Sequence, residues 1–254
     1  MEYERMMKTD VCVVGVLLLA GPLFTVSGCA QDVTLTGRVA VVSAGDASAK
    51  KADPSEVVIW ITPIPETGSG AESHPLPTVP ARLRLLQKSK EFSPHVLAVR
   101  VGTSVEFPNL DPFFHNVFSL FNGKRFDLGL YEAGTTRAVK FDRPGVAYIF
   151  CNIHPQMSAV VVAVNTPYFT ISDSRGEIKI PNVSPGRYRL DVWYEKALPE
   201  TLRALRREIT VGPDSASLGT LLLTVSDNIF MAHKNKYGRE YDPATPPSPL
   251  YQQP

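Results

Sequence analysis

Hydrophobic positions along this chain fall into short runs, separated every few residues by polar or turn-forming ones. Residues 35–42, 57–64, 95–101, 104–108, 136–141 and 146–151 are rich in Val, Ile, Phe and Thr. Gly, Pro, Asn and Asp separate them, which is the pattern of strands joined by turns. Residues 158–164 read SAVVVAV, a continuous apolar run that predicts a strand buried on both faces. Helical periodicity extends nowhere beyond about two turns; residues 198–207 have room for one or two turns. Residues 65–80 are rich in Pro, Gly and Ser, without periodicity, and read as loop.

A second unit begins near Thr166-Pro167. Residues 168–172 are expected as a strand, Ser174-Arg175-Gly176 as a tight turn, 177–180 as the return strand and 181–186 as another turn. The run RYRLDVWY alternates: Tyr188, Leu190, Val192 and Tyr194 share one face, and Arg187, Arg189, Asp191 and Trp193 the other. Residues 208–211 and 218–225 close the sheet. From Asp227 the chain turns polar and then Pro-rich, a composition expected to pack loosely or not at all. The fold class is therefore all-β, two β-sandwiches in tandem. The first covers 29–165 with an N-terminal extension, the second 166–226, and a tail covers 227–254.

The N-terminus reads as an address. Residues 11–26, VCVVGVLLLAGPLFTV, are shorter than the roughly 20 apolar residues of a membrane-spanning helix and fit a secretory leader of residues 1–28. The acidic residues Glu2, Glu4 and Asp10 before it are unusual for such a leader, and Met6 and Met7 offer alternative starts. Val26-Ser27-Gly28-Cys29 is similar to a bacterial lipobox, in which Cys29 becomes a lipidated N-terminus; ordinary cleavage after Ala30 is the other reading. Either places the mature protein outside the cytoplasm, in the periplasm or outer envelope, with membrane attachment through Cys29 in the first case.

Charge narrows the function classes. Lys and Arg number 26, Asp and Glu 25, and the net charge is +1, with no long basic run, so nucleic acid is not an expected partner. Of the three cysteines, Cys12 leaves with the leader and Cys29 stands at the new terminus. Cys151 is then alone in the folded body, and an unpaired thiol in an oxidising compartment calls for burial or metal ligation.

Cys151 stands in Cys151-Asn152-Ile153-His154-Pro155-Gln156-Met157, a C-x2-H-x2-M spacing on the turn between two strands. Upstream, His115 ends the loop that follows the strand at 104–108. A thiolate, two imidazoles and a thioether are the donor set of a type 1 copper site, with Met as the weak axial ligand. Soft sulfur favours Cu(I) and imidazole suits both oxidation states, so His115, Cys151, His154 and Met157 are the candidate ligands of one copper per chain. A buried thiol flanked by a structural His and a core Met remains open, as do a zinc site and a Cys–His nucleophile. Zinc needs no thioether, and no activating third group accompanies the thiol. Asp111 reads as a turn residue, Asp127 and Glu132 as solvated, and His95 as a surface or structural histidine. Phe113 and Phe114 fit either the core or an exposed apolar rim for a redox partner.

These motifs resemble the cupredoxins, the amicyanin kind in particular, over residues 92–164. The resemblance is carried by the C-x2-H-x2-M loop with Pro155 after its His, by Gly102-x-x-Val105-x-Phe107-x-Asn109, and by Phe141-Asp142-Arg143-Pro144-Gly145 before Tyr148-Ile149-Phe150-Cys151. It implies a Greek-key sandwich and a role for Asn116 in tying the two ligand-bearing loops together. Asp173-x-x-Gly176 and Pro185-Gly186-Arg187-Tyr188 are similar to the transthyretin-like, carboxypeptidase regulatory-like domains. The combination resembles bacterial plastocyanin-like proteins of the methylamine-utilization type. Ile153 departs from the Pro usual two residues after the Cys ligand. The resemblance implies a non-enzymatic, single-electron carrier that exchanges electrons with redox protein partners; a copper-storage or structural envelope module is the alternative.

Overall fold

The computed structural model describes residues 31–43, 52–65, 83–120, 123–225 and 234–241. The leader with Cys29, most of the 65–80 loop, His74 and His233 lie outside them. In chain order the strands are β1 (Val33–Ser43), β2 (Val58–Pro63), β3 (Leu83–Arg84), β4 (Leu86–Lys88), β5 (Glu91–Ser93) and β6 (Val96–Arg100). β7 (Ser104–Pro108), β8 (His115–Ser119), β9 (Phe126–Tyr131), β10 (Thr136–Lys140), β11 (Gly145–Phe150) and β12 (Ser158–Val164) follow. The last are β13 (Phe169–Ile171), β14 (Glu177–Val183), β15 (Gly186–Trp193), β16 (Arg207–Val211) and β17 (Ser217–Val225), with one short helix, α1 (Pro199–Leu205), before β16. Pro in the first turn of α1 costs no hydrogen bond there. The chain is all-β, as its periodicity indicates, and among the described residues no helix is long and apolar enough to cross a membrane.

One sandwich stacks the sheet β6-β12-β11-β8-β9 against β10-β7-β3, with the β4-β5 ribbon alongside. The chain crosses between its two sheets at β6–β7, β7–β8, β9–β10 and β10–β11, the Greek-key manner of closing a sandwich. Phe107, Phe141, Ile149, Val161, Cys151 and Met157 are in its core. The other sandwich stacks β14-β1-β17 against β13-β2-β15-β16 around Leu35, Ile59, Ile180, Leu190 and Leu221.

Strand partnership departs from the tandem reading. β1 and β2, counted with the first sandwich as its N-terminal extension, pair with the second: β1 lies antiparallel to β14 and parallel to β17, and β2 lies between β13 and β15. The first sandwich is thus inserted between β2 and β13 of the other. Alternation shows which face of a strand is buried and leaves its partner open. The expected hairpin of 168–172 with 177–180 is not formed either, because β13 pairs with β2 and β14 crosses to β1. The turn between them is a corner linking two sheets. Asp173 Oδ1 accepts from Arg175 N–H and Glu177 N–H there, and Gly176 sits at φ +76° with Val39 O where a Cβ would collide.

The two sandwiches share a third apolar layer. Val96, Ala98, Val160, Val162 and Val164 on one side meet Val58 and Trp193 on the other, with Trp60, Tyr148, Phe169 and Ile171 at the margin. β12 supplies Ala159, Val161 and Ala163 to its own core and the alternate valines to this layer, which is why SAVVVAV is apolar throughout. β15 alternates as expected: Tyr188, Leu190, Val192 and Tyr194 enter one core, and Trp193 the shared layer. His95 adds a polar link at this layer, Nε2 lying 2.7 Å from Glu195 Oε2 and Nδ1 3.2 Å from Ser158 O.

Candidate metal centre

Two chain segments converge at one end of the inserted sandwich. β7 ends at Pro108, and the loop that follows is shaped by buried Asn109. Its Nδ2 donates to Phe113 O at 2.7 Å and to Tyr131 O at 3.3 Å, and its Oδ1 accepts from Asp111 N–H at 3.1 Å. That loop delivers His115 to the first position of β8 with its ring fully buried. The second segment leaves β11 after Phe150, where pairing with β12 ends. It closes on itself through Cys151 N–H to Met157 O at 3.3 Å and Met157 N–H to His154 O at 3.0 Å.

The convergence brings three donors together. Cys151 Sγ lies 3.7 Å from His115 Nδ1 and 3.6 Å from His154 Nδ1, and the three residues form one potential metal-binding group. Donors that each sit about 2.0–2.3 Å from one ion are separated by such distances. Met157, the fourth expected ligand, is fully buried in the same core cluster as Cys151. Cys151 and His115 are fully buried and His154 is half-buried, so one imidazole alone of the three donors reaches the surface. Phe113 lies edge-on to His115 and tilted against His154, with centroids 5.2 and 5.7 Å away. Leu110, Phe114 and Ile153 are exposed around this end, so Phe114 belongs to an apolar rim.

Burial leads the electrostatics of the donors. Burial pushes the Cys151 thiol up, and the backbone N–H groups of Asn116, Ile153 and His154 pull the other way by favouring the thiolate. His154 is pushed down to about 4, first by burial and then by His115 and Lys90, and so is a neutral ligand at pH 7. Asp111 is held below the usual carboxylate range. Burial opposes this, and hydrogen bonds from Lys90 N–H, His115 and Ser89 N–H outweigh it.

Asp111 is more than a turn residue. Its Oδ2 accepts from His115 Nε2 at 2.8 Å. A carboxylate only accepts, so Nε2 carries a proton, and in the neutral ring Nδ1 is the nitrogen left with a lone pair on the Cys151 side. Asp111 also receives Ser89 N–H at 2.6 Å and Lys90 N–H at 2.9 Å. Ser89 and Lys90 form the two-residue β4–β5 turn at φ 56° and 60°, a geometry that ordinarily selects Asn and Gly. Their successive N–H groups make a concave anion cradle, and Asp111 fills it.

Asn116 meets the other ligand segment through its backbone rather than its side chain. Its side-chain Nδ2 donates to Asp127 Oδ1 at 2.7 Å, and its buried Oδ1 has no partner among the described residues. Only its backbone N–H faces the Cys151 sulfur. Asp127, expected as solvated, takes part in the site's surroundings. The described part of the tail, residues 234–241, departs furthest from the sequence reading, and the tail's other residues lie outside the described ones. Residues 234–241 return to the ligand loop, with Tyr241 hydroxyl donating to Cys151 O at 2.8 Å and Lys236 N–H to Asn152 Oδ1 at 3.0 Å. Lys236 Nζ also donates to Asp127 Oδ2 at 2.8 Å. The signal for Asp111 was its place four residues before His115; for the tail it was the cluster KNKYGREY ahead of the Pro-rich end.

No protein-family description and no curated protein matches the chain. Among solved structures it is similar to a purple cupredoxin from Nitrosopumilus maritimus, at 26% identity over 32% of this chain and 99% of that one, with a TM-score of 0.30. An amicyanin variant in its Cu(I) form is 19% identical over 33% of this chain and 82% of its own, TM-score 0.31. A copper-containing nitrite reductase from Thermus scotoductus is 22% identical over 49% of this chain and 28% of its own, TM-score 0.32.

Proposed function

We propose that this chain is an exported single-electron carrier built around one type 1 copper ion. His115 Nδ1, His154 Nδ1 and Cys151 Sγ would hold the ion, with Met157 as a further, weaker sulfur donor. The observation that carries the reading is the burial pattern: a sulfur and one imidazole sealed in the core, the second imidazole half-buried, and apolar side chains around it. When bound, copper supplies a one-electron couple at nearly constant coordination.

The protein's part is to hold the donors still. Asp111 fixes the His115 tautomer, three backbone N–H groups stabilise the thiolate, and two rigid sheets anchor the segments. The His154 ring is the exit toward a partner, and Leu110, Phe114 and Ile153 exclude water from the contact. The leader and Cys29 would place this carrier at the envelope, lipid-anchored, facing redox protein partners.

Loading the purified protein with Cu(II) tests the proposal through visible absorption and EPR spectra. The expected result is an intense thiolate-to-copper band with narrow copper hyperfine splitting, both lost in Cys151→Ser. A pale protein with ordinary tetragonal copper signals would sink the electron-carrier reading. A type 1 spectrum with rapid surrender of Cu(I) to an acceptor apoprotein would make the chain a copper store instead.

A further inference from the structure

We infer that residues 234–241 are a strap belonging to the metal centre, which locks its two ligand-bearing segments together and slows departure of the metal. The inference rests on the copper reading for the identity of the metal, and on geometry for the strap itself. On one side, Tyr241 and Lys236 N–H bind Cys151 O and Asn152 Oδ1, two consecutive residues of the ligand loop. On the other side, the Lys236 ammonium binds Asp127, whose second oxygen receives Asn116, the neighbour of His115. One short segment thus spans both ligand carriers.

The strap is a built element. Asn235 Oδ1 accepts from Tyr237 N–H at 3.0 Å and Arg239 N–H at 3.1 Å. Asn235 and Arg239 pair through the backbone, and Gly238 at φ 75° closes the turn onto Asn235 O. The Lys236 ammonium also sits 5.3 Å from the Tyr237 ring centroid. A loop already closed by its own bonds loses little further freedom on docking. Both Asp127 and Lys236 are held charged. At Asp127 burial opposes ionisation, and the bonds from Lys236, Gly129 N–H and Asn116 prevail; at Lys236 the bond to Asp127 leads.

The consequence follows from where Cys151 lies. It is the first residue beyond the β11–β12 ladder, so opening the loop requires its carbonyl to leave Tyr241. Each polar tie, at the net strength of one protein hydrogen bond, changes an opening equilibrium by a factor of roughly 2–12. Metal leaves through the opened loop, and the thiol of the metal-free protein reacts through the same opening.

Two rates measured on the full chain test this in Tyr241→Phe, Lys236→Met and the double variant. The first is loss of Cu(I) to bathocuproine disulfonate. The second is iodoacetamide alkylation of Cys151 in the metal-free protein, read at its own peptide by mass spectrometry. Each single variant is expected to raise both rates about 2–12-fold, and the double variant further. Deleting residues 234–254 should exceed the double variant, and the point variants decide the matter if the deletion does not fold. Rates within about twofold of the parent for all point variants, a change smaller than one such bond, overturn the strap. A parent chain without type 1 copper would defeat the electron-carrier reading alone, because the alkylation rates still judge the strap.

Discussion

Asp111→Ala removes the carboxylate that joins the Ser89–Lys90 turn to the His115 ring, and the three hydrogen bonds lost do not weigh equally. Bonds to an ionised acceptor contribute about 1.5–3 kcal/mol each, and the desolvation of a side chain only 7% exposed offsets part of that. Ser89 and Lys90 are exposed, so water replaces the carboxylate at their N–H groups. The His115 ring is fully buried, and its Nε2–H is left without an acceptor, which costs about 1–3 kcal/mol. The turn, with two non-glycine residues at positive φ, loses the anion that favours this shape, adding about 1 kcal/mol. The metal-free variant should therefore unfold about 2–4 kcal/mol more readily in urea. Copper affinity should fall about 10–100-fold, the usual effect of removing the partner that orients a histidine ligand. Asp111→Asn with its oxygen at the Oδ2 position keeps an acceptor for His115 and Lys90 N–H and turns its amide nitrogen toward Ser89 N–H, so it should lose less stability and less copper affinity than the alanine variant. Urea unfolding and a competitive copper titration measure both. An alanine variant within about 0.5 kcal/mol of the parent, the range of an ordinary surface substitution, and with unchanged affinity would refute the reasoning.

The remaining predictions concern pH and the sandwich boundary. His95 is raised, chiefly by its hydrogen bond to Glu195 against the opposing effect of burial, with Glu56 adding to it. The folded state therefore holds this proton more tightly than the unfolded chain, and the added stability is complete below the ordinary histidine value of 6.5 and fades as pH rises through the raised one. Denaturation midpoints of the parent and His95→Gln should converge from pH 5.5 to pH 8.5, by roughly the modest amount of a partly exposed pair; a gap that does not change would contradict the assignment. Residues 166–226 made alone lack Leu35, Val39, Val41, Val57, Ile59 and Ile61, all buried in the core that those residues share. Burial of about 1.5–3 kcal/mol for each makes this loss on the order of 10 kcal/mol, as large as the net stability of a domain. The fragment should show no cooperative melt by circular dichroism, and a sharp transition would disprove the pairing of β1 and β2 with it.

The sequence by itself determined the class of the fold and singled out the residues that meet at the candidate site. Period-two alternation in RYRLDVWY assigned each residue its face, and the unbroken apolar run SAVVVAV predicted burial on both sides, because a strand's two faces are a property of local geometry. Cys151 and His154 were legible together because residues on one tight loop are neighbours whatever the rest of the chain does. His115 was legible only with the strand and loop motif before it, since 36 residues separate it from Cys151.

Tertiary structure decided what depends on partners far along the chain. Alternation in β1 is equally well served by any strand that covers its apolar face, so its membership in the second sandwich came from packing, in parallel with β17 at the other end of the described fold. Asp111 could be read as a turn residue because its bonds reach the β4–β5 turn, some twenty residues away, as well as His115 on β8 of another sheet. Polar, Pro-rich composition argued against order in the tail, and composition counts apolar area. The strap is held instead by a few directed hydrogen bonds, which act only once folding has brought Cys151, Asn152 and Asp127 within reach of Tyr241 and Lys236.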